Sequence, residues 1–409
     1  MSHHSLLRRH WSLKRGAIFL NHGSFGACPE PILKLQAELR RRMESEPVQF
    51  LWRCYEERLE PSRRELARFV NARARDLVFT TNATSGVNAV VRSLNWKRGD
   101  EILTTDHNYN ACHNVLVETA RRTGAKVVVA RVPFPIKSED EITRAILQRV
   151  SPRTRLAMID HVTSNTAIVF PIERIVRELE AAGVDTLVDG AHAPGMMPVS
   201  LRKLRPAYYT ANLHKWVCAP KGAAFLWVRE DRQDDVQPVV ISHGNNRPRK
   251  GFASFQDRFD WPGTFDPTAW MCVGETIAWM GKLLPGGWPE LRRHNRRLAV
   301  EVRRLLCENL RLVPPCPESM LGSMAAIPLP DRFQGACATG KIDLEQMRLY
   351  DHYAIEVPFN RFGGDGRRYF RISAQVYNTK GDYVELAKAL GSMNACHMPS
   401  RNARKCRAK

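Results

Sequence analysis

Residues 184–192 read Val-Asp-Thr-Leu-Val-Asp-Gly-Ala-His, and residues 208–215 read Tyr-Tyr-Thr-Ala-Asn-Leu-His-Lys. Each stretch predicts a short buried strand followed by polar residues, which include Asp189 and His192 in the first and Lys215 in the second. In open α/β sheets, ligands bind at the carboxyl ends of the strands. Because Lys215 follows Asp189 by 26 positions, we expect the carboxylate and the amine to meet at that edge of the sheet.

The surrounding sequence predicts a mostly parallel sheet flanked by helices. Between about residues 73 and 229, short apolar or β-branched runs alternate with amphipathic stretches of helical length, which is typical of an α/β domain. The predicted strands are Asp76–Thr80, Glu101–Thr105, Lys126–Val132, Leu156–Val162, Asp185–Asp189, Tyr208–Thr210 and Gly222–Val228.

Beyond residue 262 the pattern changes to that of a smaller α+β domain. Long helices are predicted over Pro267–Leu284 and Trp288–Leu310, followed by a strand at Tyr369–Ala374 and a helix at Gly381–Asn394. The sequence therefore predicts two domains of unequal size.

The composition is that of a globular protein. The chain has 409 residues, of which 44% are hydrophobic and 25% charged, so it can form a large core and is not generally disordered. No apolar run approaches the ~18 residues of a membrane-spanning helix, and the first residues lack the apolar middle of a secretory signal. The 10 cysteines form no CxxC pair. We expect reduced thiols in a cytoplasmic protein, with no membrane association and no metal site.

The chain is strongly basic, with a formal net charge of +20. Such a charge attracts anionic ligands. Part of it lies at the end of the chain, because no acidic residue follows Glu385. This end is either a solvated tail or a contact for nucleic acid, and the absence of interleaved aromatic residues favours the tail.

The pair Asp189 and Lys215 has a specific chemical use. A buried carboxylate can hold the protonated ring nitrogen of pyridoxal 5′-phosphate (PLP), while a lysine forms a Schiff base with the aldehyde. The alternative is structural: Asp189 caps the turn that follows it, and Lys215 is a solvated lysine.

A second group of residues suits a phosphate. Residues 80–86 read Thr-Thr-Asn-Ala-Thr-Ser-Gly and lead from a predicted strand into an amphipathic helix. Free backbone N–H groups and the positive end of the helix dipole meet at such a junction. The same hydroxyl groups could instead be N-caps that need no ligand.

Two further side chains could contact a flat, charged ligand. Tyr109 follows a predicted strand and could stack on a ring, although it and His107 could equally be packing residues. Arg371 lies in the predicted strand Tyr369–Ala374, where a partly buried guanidinium could bind a carboxylate through two hydrogen bonds. A structural ion pair is the alternative for Arg371.

Seven motifs occur in a fixed order along the chain. They are Leu20-Asn-His-Gly-Ser-Phe-Gly26, Thr84-Ser-Gly-Val-Asn88, residues 106–111 (Asp-His-Asn-Tyr-Asn-Ala), Asp189-Gly-Ala-His192, His214-Lys215, Gly263-Thr264, and Arg371-Ile-Ser373 with Tyr377-Asn-Thr379. Over about Ala17 to Ala395, the sequence resembles the fold-type I PLP-dependent enzymes of aminotransferase class V. Within this class it resembles the isopenicillin N epimerase-like branch. The resemblance implies an α/β fold with a mostly parallel seven-stranded sheet and a smaller α+β C-terminal domain.

The expected division of the chain follows from this resemblance. Residues 1–30 would contribute to the mouth of the active site, and residues 31–262 would form the large PLP-binding domain. Residues 263–395 would form the small domain, and residues 396–409 a basic, disordered tail.

The resemblance also implies roles for the site residues. Lys215 would be the Schiff-base lysine and catalytic base, and Asp189 the partner of the ring nitrogen. His192 would contact the phenolic oxygen of the cofactor, and Tyr109 would stack on the ring face. The phosphate would be bound by Ala83, Thr84, Asn212 and His214. The protein would be a homodimer, in which Thr264 of the other subunit also binds this phosphate. The substrate contacts would be Arg371 at the carboxylate, with His22 and Gly23 at the mouth.

These residues do not fix the reaction on the amino-acid substrate. Once a substrate amine displaces Lys215, the lysine can remove the Cα proton, and β-elimination, epimerisation or transamination can follow. Elimination needs one base and a good leaving group, whereas epimerisation needs a second acid that the sequence does not reveal. We therefore expect a C–S lyase for a substituted cysteine, similar to the hercynylcysteine sulfoxide lyases, with epimerase or aminotransferase activity as the alternative.

Two other functions fit the sequence less well. A cysteine desulfurase uses a mobile cysteine shortly before the carboxylate-binding arginine, but no cysteine lies between Asp351 and Arg371, and Cys337 is 34 positions upstream of that arginine. The segment Ile355–Phe359 is instead expected to form a wall beside the substrate side chain. A non-catalytic protein that binds anions or nucleic acid is least favoured, because it would have no use for Asp189, Lys215 and Arg371 together.

Overall fold

The protein is described by a computed structural model that covers residues 6–334, 338–339, 342–363 and 366–393. Its strands are β1 (Ile18–Phe19), β2 (Leu77–Thr80), β3 (Glu101–Thr105), β4 (Lys126–Ala130), β5 (Thr154–Asp160), β6 (Asp185–Asp189), β7 (Tyr208–Asn212), β8 (Ala224–Val228), β9 (Met324–Pro328), β10 (Ala338–Thr339), β11 (Ile342–Asp343), β12 (Ile355–Glu356), β13 (Phe359–Phe362) and β14 (Arg367–Ser373). The predicted tail, residues 396–409, and Asn394 at the end of the last predicted helix lie outside the described residues.

The α-helices alternate with the strands of the large sheet and then dominate the C-terminal part. They are α1 (His22–Phe25), α2 (Glu30–Ser45), α3 (Tyr55–Phe69), α4 (Ala83–Ser93), α5 (Asn110–Thr123), α6 (Glu139–Leu147), α7 (Ile172–Ala181), α8 (Leu201–Leu204), α9 (Ser254–Asp260), α10 (Thr268–Met271), α11 (Val273–Gly281), α12 (Gly287–Leu310), α13 (Leu344–Tyr353) and α14 (Lys380–Ser392). In the part of the chain that the structure covers, no helix combines the length and the apolar character needed to cross a bilayer.

The large sheet has seven strands in the order β2-β8-β7-β6-β5-β3-β4. Only β8 runs antiparallel to its neighbours, β2 and β7, so the predicted mostly parallel α/β sheet is confirmed. Every residue of β7 and β8 is buried, because both faces of the sheet are covered, as is usual for parallel sheets with crossover helices.

Several predicted strand boundaries are wrong by two residues: β4 ends at Ala130 rather than Val132, β5 begins at Thr154 rather than Leu156, β7 ends at Asn212 rather than Thr210, and β14 begins at Arg367 rather than Tyr369. Two further boundaries have a visible structural cause. β5 ends at Asp160 rather than at Val162, because Val162 leaves the sheet and forms a bridge with Val169. β8 begins at Ala224 rather than at Gly222, since Gly222 has a φ of 93° and lies in a turn.

The predicted helix over residues 267–284 is two helices, α10 and α11, separated at Cys272. The Ser62 side chain inserts at the break: its hydroxyl donates to the Met271 carbonyl at 2.7 Å and accepts from the Gly274 N–H at 3.1 Å. A side chain that inserts into the helical hydrogen-bond ladder is an established cause of such interruptions.

The C-terminal part contains a three-stranded antiparallel sheet in the order β13-β14-β9. The N-terminal segment joins this region, because β1 pairs in parallel with β12, placing Ile18 opposite Ile355. The short helix α1 follows β1 directly, which brings it between this sheet and the loop that carries Lys215.

Candidate active site

A cavity of about 560 Å³ opens at the carboxyl ends of the central strands. Asp160 at the end of β5, Asp189 at the end of β6 and Asn212 at the end of β7 line it, together with Thr84 in the first turn of α4 and Lys215 after β7. The predicted meeting of Asp189 and Lys215 at this edge of the sheet is therefore seen in the structure. The volume lies within the ~300–1,000 Å³ typical of small-molecule sites.

Lys215 is a buried residue with 9% exposure, not a solvated lysine. Its Nζ lies 3.1 Å from Nε2 of His192, and Nδ1 of His192 accepts a hydrogen bond of 3.3 Å from the Trp216 indole N–H. Burial, and next the positive charge of Arg371, lower the pKa of Lys215 to about 8. The free-base form of this amine is therefore far more populated near neutral pH than that of an exposed lysine, whose pKa is ~10.4.

Asp189 both caps the following turn and lines the cavity. One carboxylate oxygen accepts the Ala191 N–H at 2.9 Å, and the other is 3.4 Å from the Cys112 thiol, which donates to it. Burial is the main cause of the raised pKa of this carboxyl. A cationic ring nitrogen at this position would reverse that shift, because an opposite charge favours the ionised form.

Asp160 is a site residue that sequence reasoning missed. It lies opposite Asp189 in the register of β5 and β6, it is 3% exposed, and its Oδ2 has no hydrogen-bond partner. Burial, and next the negative charge of Asp189, raise the pKa of Asp160 well above its ordinary value. A polar residue at the carboxyl end of a strand was the available signal, and it is the same signal that identified Asp189.

The strand-to-helix junction that was predicted to suit a phosphate is present at the start of α4. Its N-cap is an asparagine and not one of the serine or threonine residues considered from the sequence. Asn82 is the N-cap, and its side chain accepts the Ser85 N–H at 2.8 Å. The Ala83 N–H donates to Asn212 Oδ1 at 2.9 Å, so two of the predicted phosphate contacts bond to each other and fix the helix to β7. Thr84 and Ser85 line the cavity beside them, where the positive end of the helix dipole favours an anion.

His214 also lines the cavity. Its Nδ1 is 3.2 Å from the Ala223 carbonyl oxygen, to which it donates. Burial, and next the charge of Lys215, lower the pKa of His214 to about 4. A bound phosphate would raise it again, since a nearby anion favours the imidazolium form.

Arg371 is buried behind two residues that line the cavity. Its guanidinium donates to the Ser164 carbonyl oxygen at 2.6 Å and to the Ser24 hydroxyl at 2.9 Å, while its Nε has no partner. Over the described ranges, no carboxylate forms an ion pair with it, so the structural ion pair considered from the sequence is absent there. Burial lowers the pKa of Arg371 to about 10, which leaves it charged at neutral pH.

His22 does not fit the expected place at the substrate mouth. It is fully buried behind the lysine loop, with Nδ1 2.8 Å from the Tyr377 hydroxyl and Nε2 3.0 Å from the Lys215 carbonyl oxygen. The short helix α1 turns the side chain into the core, where burial lowers its pKa to about 3. Its neighbour Gly23 is also buried, and a Cβ at Gly23 would lie 3.5 Å from Nη2 of Arg371.

Two predicted cofactor contacts lie at the surface of the single chain. Tyr109 lines the cavity and is 46% exposed, a position at the opening. Thr264 is exposed and does not line this chain's cavity.

The residues present fit PLP. The cavity offers an amine of lowered pKa for the aldehyde, a buried carboxylate for the ring nitrogen and a helix N-terminus for the phosphate. The unpartnered Oδ2 of Asp160 and the unpaired guanidinium of Arg371 are further polar groups suited to a charged ligand.

The model of the aminotransferase class-V family matches residues 41–329. The chain belongs to this family. It is therefore a PLP-dependent enzyme, and the resemblance stated from its motifs is confirmed.

Isopenicillin N epimerase of Amycolatopsis lactamdurans is 33% identical over 402 residues, which cover 95% of this chain and 98% of the relative. Putative L-cysteine desulfhydrase 1 of Oryza sativa subsp. japonica is 31% identical, covering 93% of this chain and 84% of the relative.

The chain is also similar to a more distant relative and to a solved structure. Hercynylcysteine sulfoxide lyase of Schizosaccharomyces pombe is 24% identical, covering 94% of this chain and 96% of the relative. The structure of a C-DES mutant with glycine covalently linked to its PLP cofactor superposes with a TM-score of 0.79 at 19% identity, covering 95% of this chain and 99% of that one. At this identity the likeness establishes the shared fold.

Proposed function

We propose that this enzyme is a C–S lyase that eliminates the sulfur group from Cβ of a substituted cysteine or of cysteine itself. The observation that carries the proposal is that one cavity is lined by both the Lys215 amine and the Asp189 carboxylate, while the Arg371 guanidinium lies directly behind the lining residues Ser24 and Ser164. Relatives named as an L-cysteine desulfhydrase and a hercynylcysteine sulfoxide lyase support the same reaction.

The roles follow from the chemistry of each group. Lys215 would hold the aldehyde of PLP, Asp189 would keep the ring nitrogen protonated, and Thr84 and His214 would face the phosphate. When bound, PLP supplies an electron-accepting ring that stabilises negative charge at Cα of an attached amino acid. Lys215 then removes the Cα proton, a task suited to an amine whose pKa is lowered to about 8. His192, whose Nε2 contacts this amine, would bind the phenolic oxygen.

Arg371 would bind the substrate carboxylate. Its hydrogen bonds to Ser24 and Ser164 are made with neutral oxygens, so its charge is uncompensated in a buried position. A carboxylate at this wall of the cavity would gain a charge-assisted hydrogen bond of ~1.5–3 kcal/mol. This contact would orient Cα towards Lys215.

The same cavity argues against desulfurase chemistry, which requires a reactive thiolate. Cys112 is the described cysteine beside Asp189, and burial and the Asp189 charge raise its pKa well above the ordinary value. Its thiol donates to a carboxylate that would hold the ring nitrogen, not to a group near Cα. Cys337 lies outside the described residues.

Epimerisation is the second candidate, favoured by the 33% identity to isopenicillin N epimerase. It requires a second acid on the face of Cα opposite to the lysine. Asp160 is a buried carboxyl in the cavity, but it stands beside Asp189, at the end where the ring nitrogen would be held. It is therefore not placed to protonate Cα.

Product analysis distinguishes these reactions. Incubation of the holoenzyme with S-substituted cysteines should release the thiol, pyruvate and ammonia in equal amounts. Exchange of the Cα hydrogen in D₂O with inversion and no pyruvate would instead establish epimerisation. Conversion of a keto-acid cosubstrate to an amino acid, without thiol release, would establish transamination.

We also propose a homodimer in which Thr264 of each chain reaches the phosphate of the other. Phe25 and Val239 line the cavity while remaining 73% and 46% exposed, so apolar side chains at the site are uncovered in a single chain, and a second chain would cover them. Light scattering should give twice the monomer mass. Thr264→Ala should leave that mass unchanged and weaken PLP binding about tenfold, the effect of one lost hydrogen bond to a phosphate.

A further inference from the structure

Trp216 contacts His192 through the ring nitrogen that does not face the lysine. The indole Nε1 lies 3.3 Å from His192 Nδ1, and His192 Nε2 lies 3.1 Å from Lys215 Nζ. Trp216 is 1% exposed and His192 2% exposed, so the contact between the indole and the imidazole is shielded from water, while His192 and Lys215 line the cavity. The imidazole bridges the indole N–H and the catalytic amine.

The chemistry of the three groups fixes the position of the protons. An indole N–H can only donate, so Nδ1 of His192 must accept. A neutral imidazole carries a single N–H, which is then on Nε2. This N–H donates to the lone pair of Lys215 Nζ, and that lone pair exists only in the free base. Burial, and next the charge of Lys215, hold the pKa of His192 well below its ordinary value, which keeps the ring neutral.

We propose that Trp216 is a positioning residue that holds His192 in its Nε2–H tautomer and thereby favours the free-base form of Lys215. The proposal rests on the proposed function, in which Lys215 is the cofactor-binding base. The same tautomer would present an N–H donor to the phenolic oxygen of PLP, which is the cofactor contact proposed for His192. One hydrogen bond from an uncharged residue thus serves both the amine and the cofactor.

Several charged or titratable groups surround the bridge and must be kept constant in any test. Those that act on His192 or Lys215 are Arg371, His214, His22, Asp189, Asp160 and Cys112. Trp216→Phe changes none of these charges and retains an aromatic ring. A shift in the titration of the lysine would therefore report the lost N–H group or altered packing, and a second substitution separates these two causes.

The tautomer is measured directly on the wild-type protein. Long-range ¹⁵N–¹H correlation spectra of cofactor-free, ¹⁵N-histidine-labelled protein should contain a neutral imidazole with the proton on Nε2, which disappears in His192→Gln. In Trp216→Phe, that signal should move towards a mixture of tautomers. A wild-type His192 with its proton on Nδ1 would overturn the proposal, whatever the variants do.

The effect on the lysine is measured by adding PLP to cofactor-free protein and following the absorbance change as a function of pH. In Trp216→Phe, Nδ1 of His192 can carry the proton, and Nε2 of His192 can then accept a hydrogen bond from the ammonium form of Lys215. Because this bond stabilises the ammonium form, the midpoint of the loading profile should rise by about 0.5–1 pH unit, the size of one net hydrogen bond. Trp96→Phe is the matched control, because Trp96 is buried and its indole N–H donates to the Val91 carbonyl oxygen at 2.8 Å. It should not shift the midpoint.

The His192→Gln background separates tautomer control from packing. A glutamine amide always offers an N–H donor and has no tautomers, so Trp216→Phe should shift the midpoint in the wild-type background and not in His192→Gln. An equal shift in both backgrounds would reduce Trp216 to a packing residue. Because no amino-acid substrate is used, failure of the C–S lyase assay with an intact Nε2–H signal would refute the proposed function and leave this inference standing.

Discussion

Asp160 and Asp189 stand opposite each other at the carboxyl ends of two adjacent parallel strands, both buried beside the same cavity. Two buried carboxyl groups this close do not both ionise readily. Asp189 accepts hydrogen bonds from the Ala191 N–H and the Cys112 thiol, whereas Oδ2 of Asp160 has no partner. The negative charge of the pair therefore belongs on Asp189 and the proton on Asp160.

This assignment predicts a pH-dependent stability difference for Asp160→Asn. The folded-state pKa of Asp160 is raised above the ~3.9 of an unfolded chain, so wild-type stability is lost as the pH rises towards the raised value. An amide mimics the protonated acid and avoids that loss. In cofactor-free protein, the melting temperature of Asp160→Asn should equal that of the wild type near pH 4 and exceed it by a few degrees at pH 8.

The control for this prediction is Asp351→Asn, which removes the same charge from an exposed site. Its melting temperature should follow that of the wild type across the pH range. A stability difference for Asp160→Asn that does not change between pH 4 and pH 8 would contradict a protonated Asp160, because a constant difference reflects packing and not ionisation.

Much of the fold and of the site was predictable from the sequence because strand ends carry a strong signal. The alternation of apolar runs predicted the strands of the large sheet, and the polar residues after them predicted where Asp189 and Lys215 meet. Asp160 was not predicted as a site residue because its strand was predicted to end at Val162, which placed the carboxylate inside the strand instead of at its end. A boundary error of two residues was enough to hide a site residue.

Other features depend on contacts between distant residues and leave no local signal. The expected phosphate contacts of Ala83 and Asn212 bond to each other, across 129 positions of sequence. His22 turns into the core because the Tyr377 hydroxyl and the Lys215 carbonyl oxygen lie there to receive it. Spacing along the chain predicts which residues lie near the site, but not which of them already have a partner.

The pKa of Lys215 predicts how cofactor loading depends on pH. Only the free-base amine reacts with an aldehyde, and burial lowers its pKa to about 8. The initial rate of loading should therefore rise with pH and level off above about 8, where an exposed lysine would continue to gain rate up to ~10.4. Lys215→Ala should abolish the absorbance of the lysine-linked cofactor at every pH. A loading rate that still climbs above pH 9.5 would show that the amine is solvated.

Arg371 should bind the substrate carboxylate, in addition to lowering the pKa of Lys215 through its charge. Arg371→Ala is expected to raise KM for an S-substituted cysteine about 10–100-fold, the cost of a charge-assisted hydrogen bond of ~1.5–3 kcal/mol. Arg371→Lys should recover part of this loss, because a lysine keeps the charge without the planar pair of donors.

The comparison that isolates this role uses a substrate analogue without the carboxylate, an S-substituted cysteamine. The analogue should bind equally poorly to the wild type and to Arg371→Ala, because there is no carboxylate to lose. If Arg371→Ala weakens binding of both compounds to the same degree, the arginine supports the wall formed by Ser24 and Ser164 and does not contact the substrate carboxylate.

Cys112 separates lyase chemistry from sulfur transfer. Its thiol is 3.4 Å from the Asp189 carboxylate and has a strongly raised pKa, so it is a donor to that carboxylate and not a nucleophile. Cys112→Ala should keep the release of pyruvate from S-substituted cysteines. It should weaken PLP binding only severalfold, since one weak S–H donor to Asp189 is lost.

Mass spectrometry of the wild type during turnover should find no persulfide on Cys112. A persulfide at that residue, lost together with activity in Cys112→Ala, would establish a desulfurase in place of the proposed lyase.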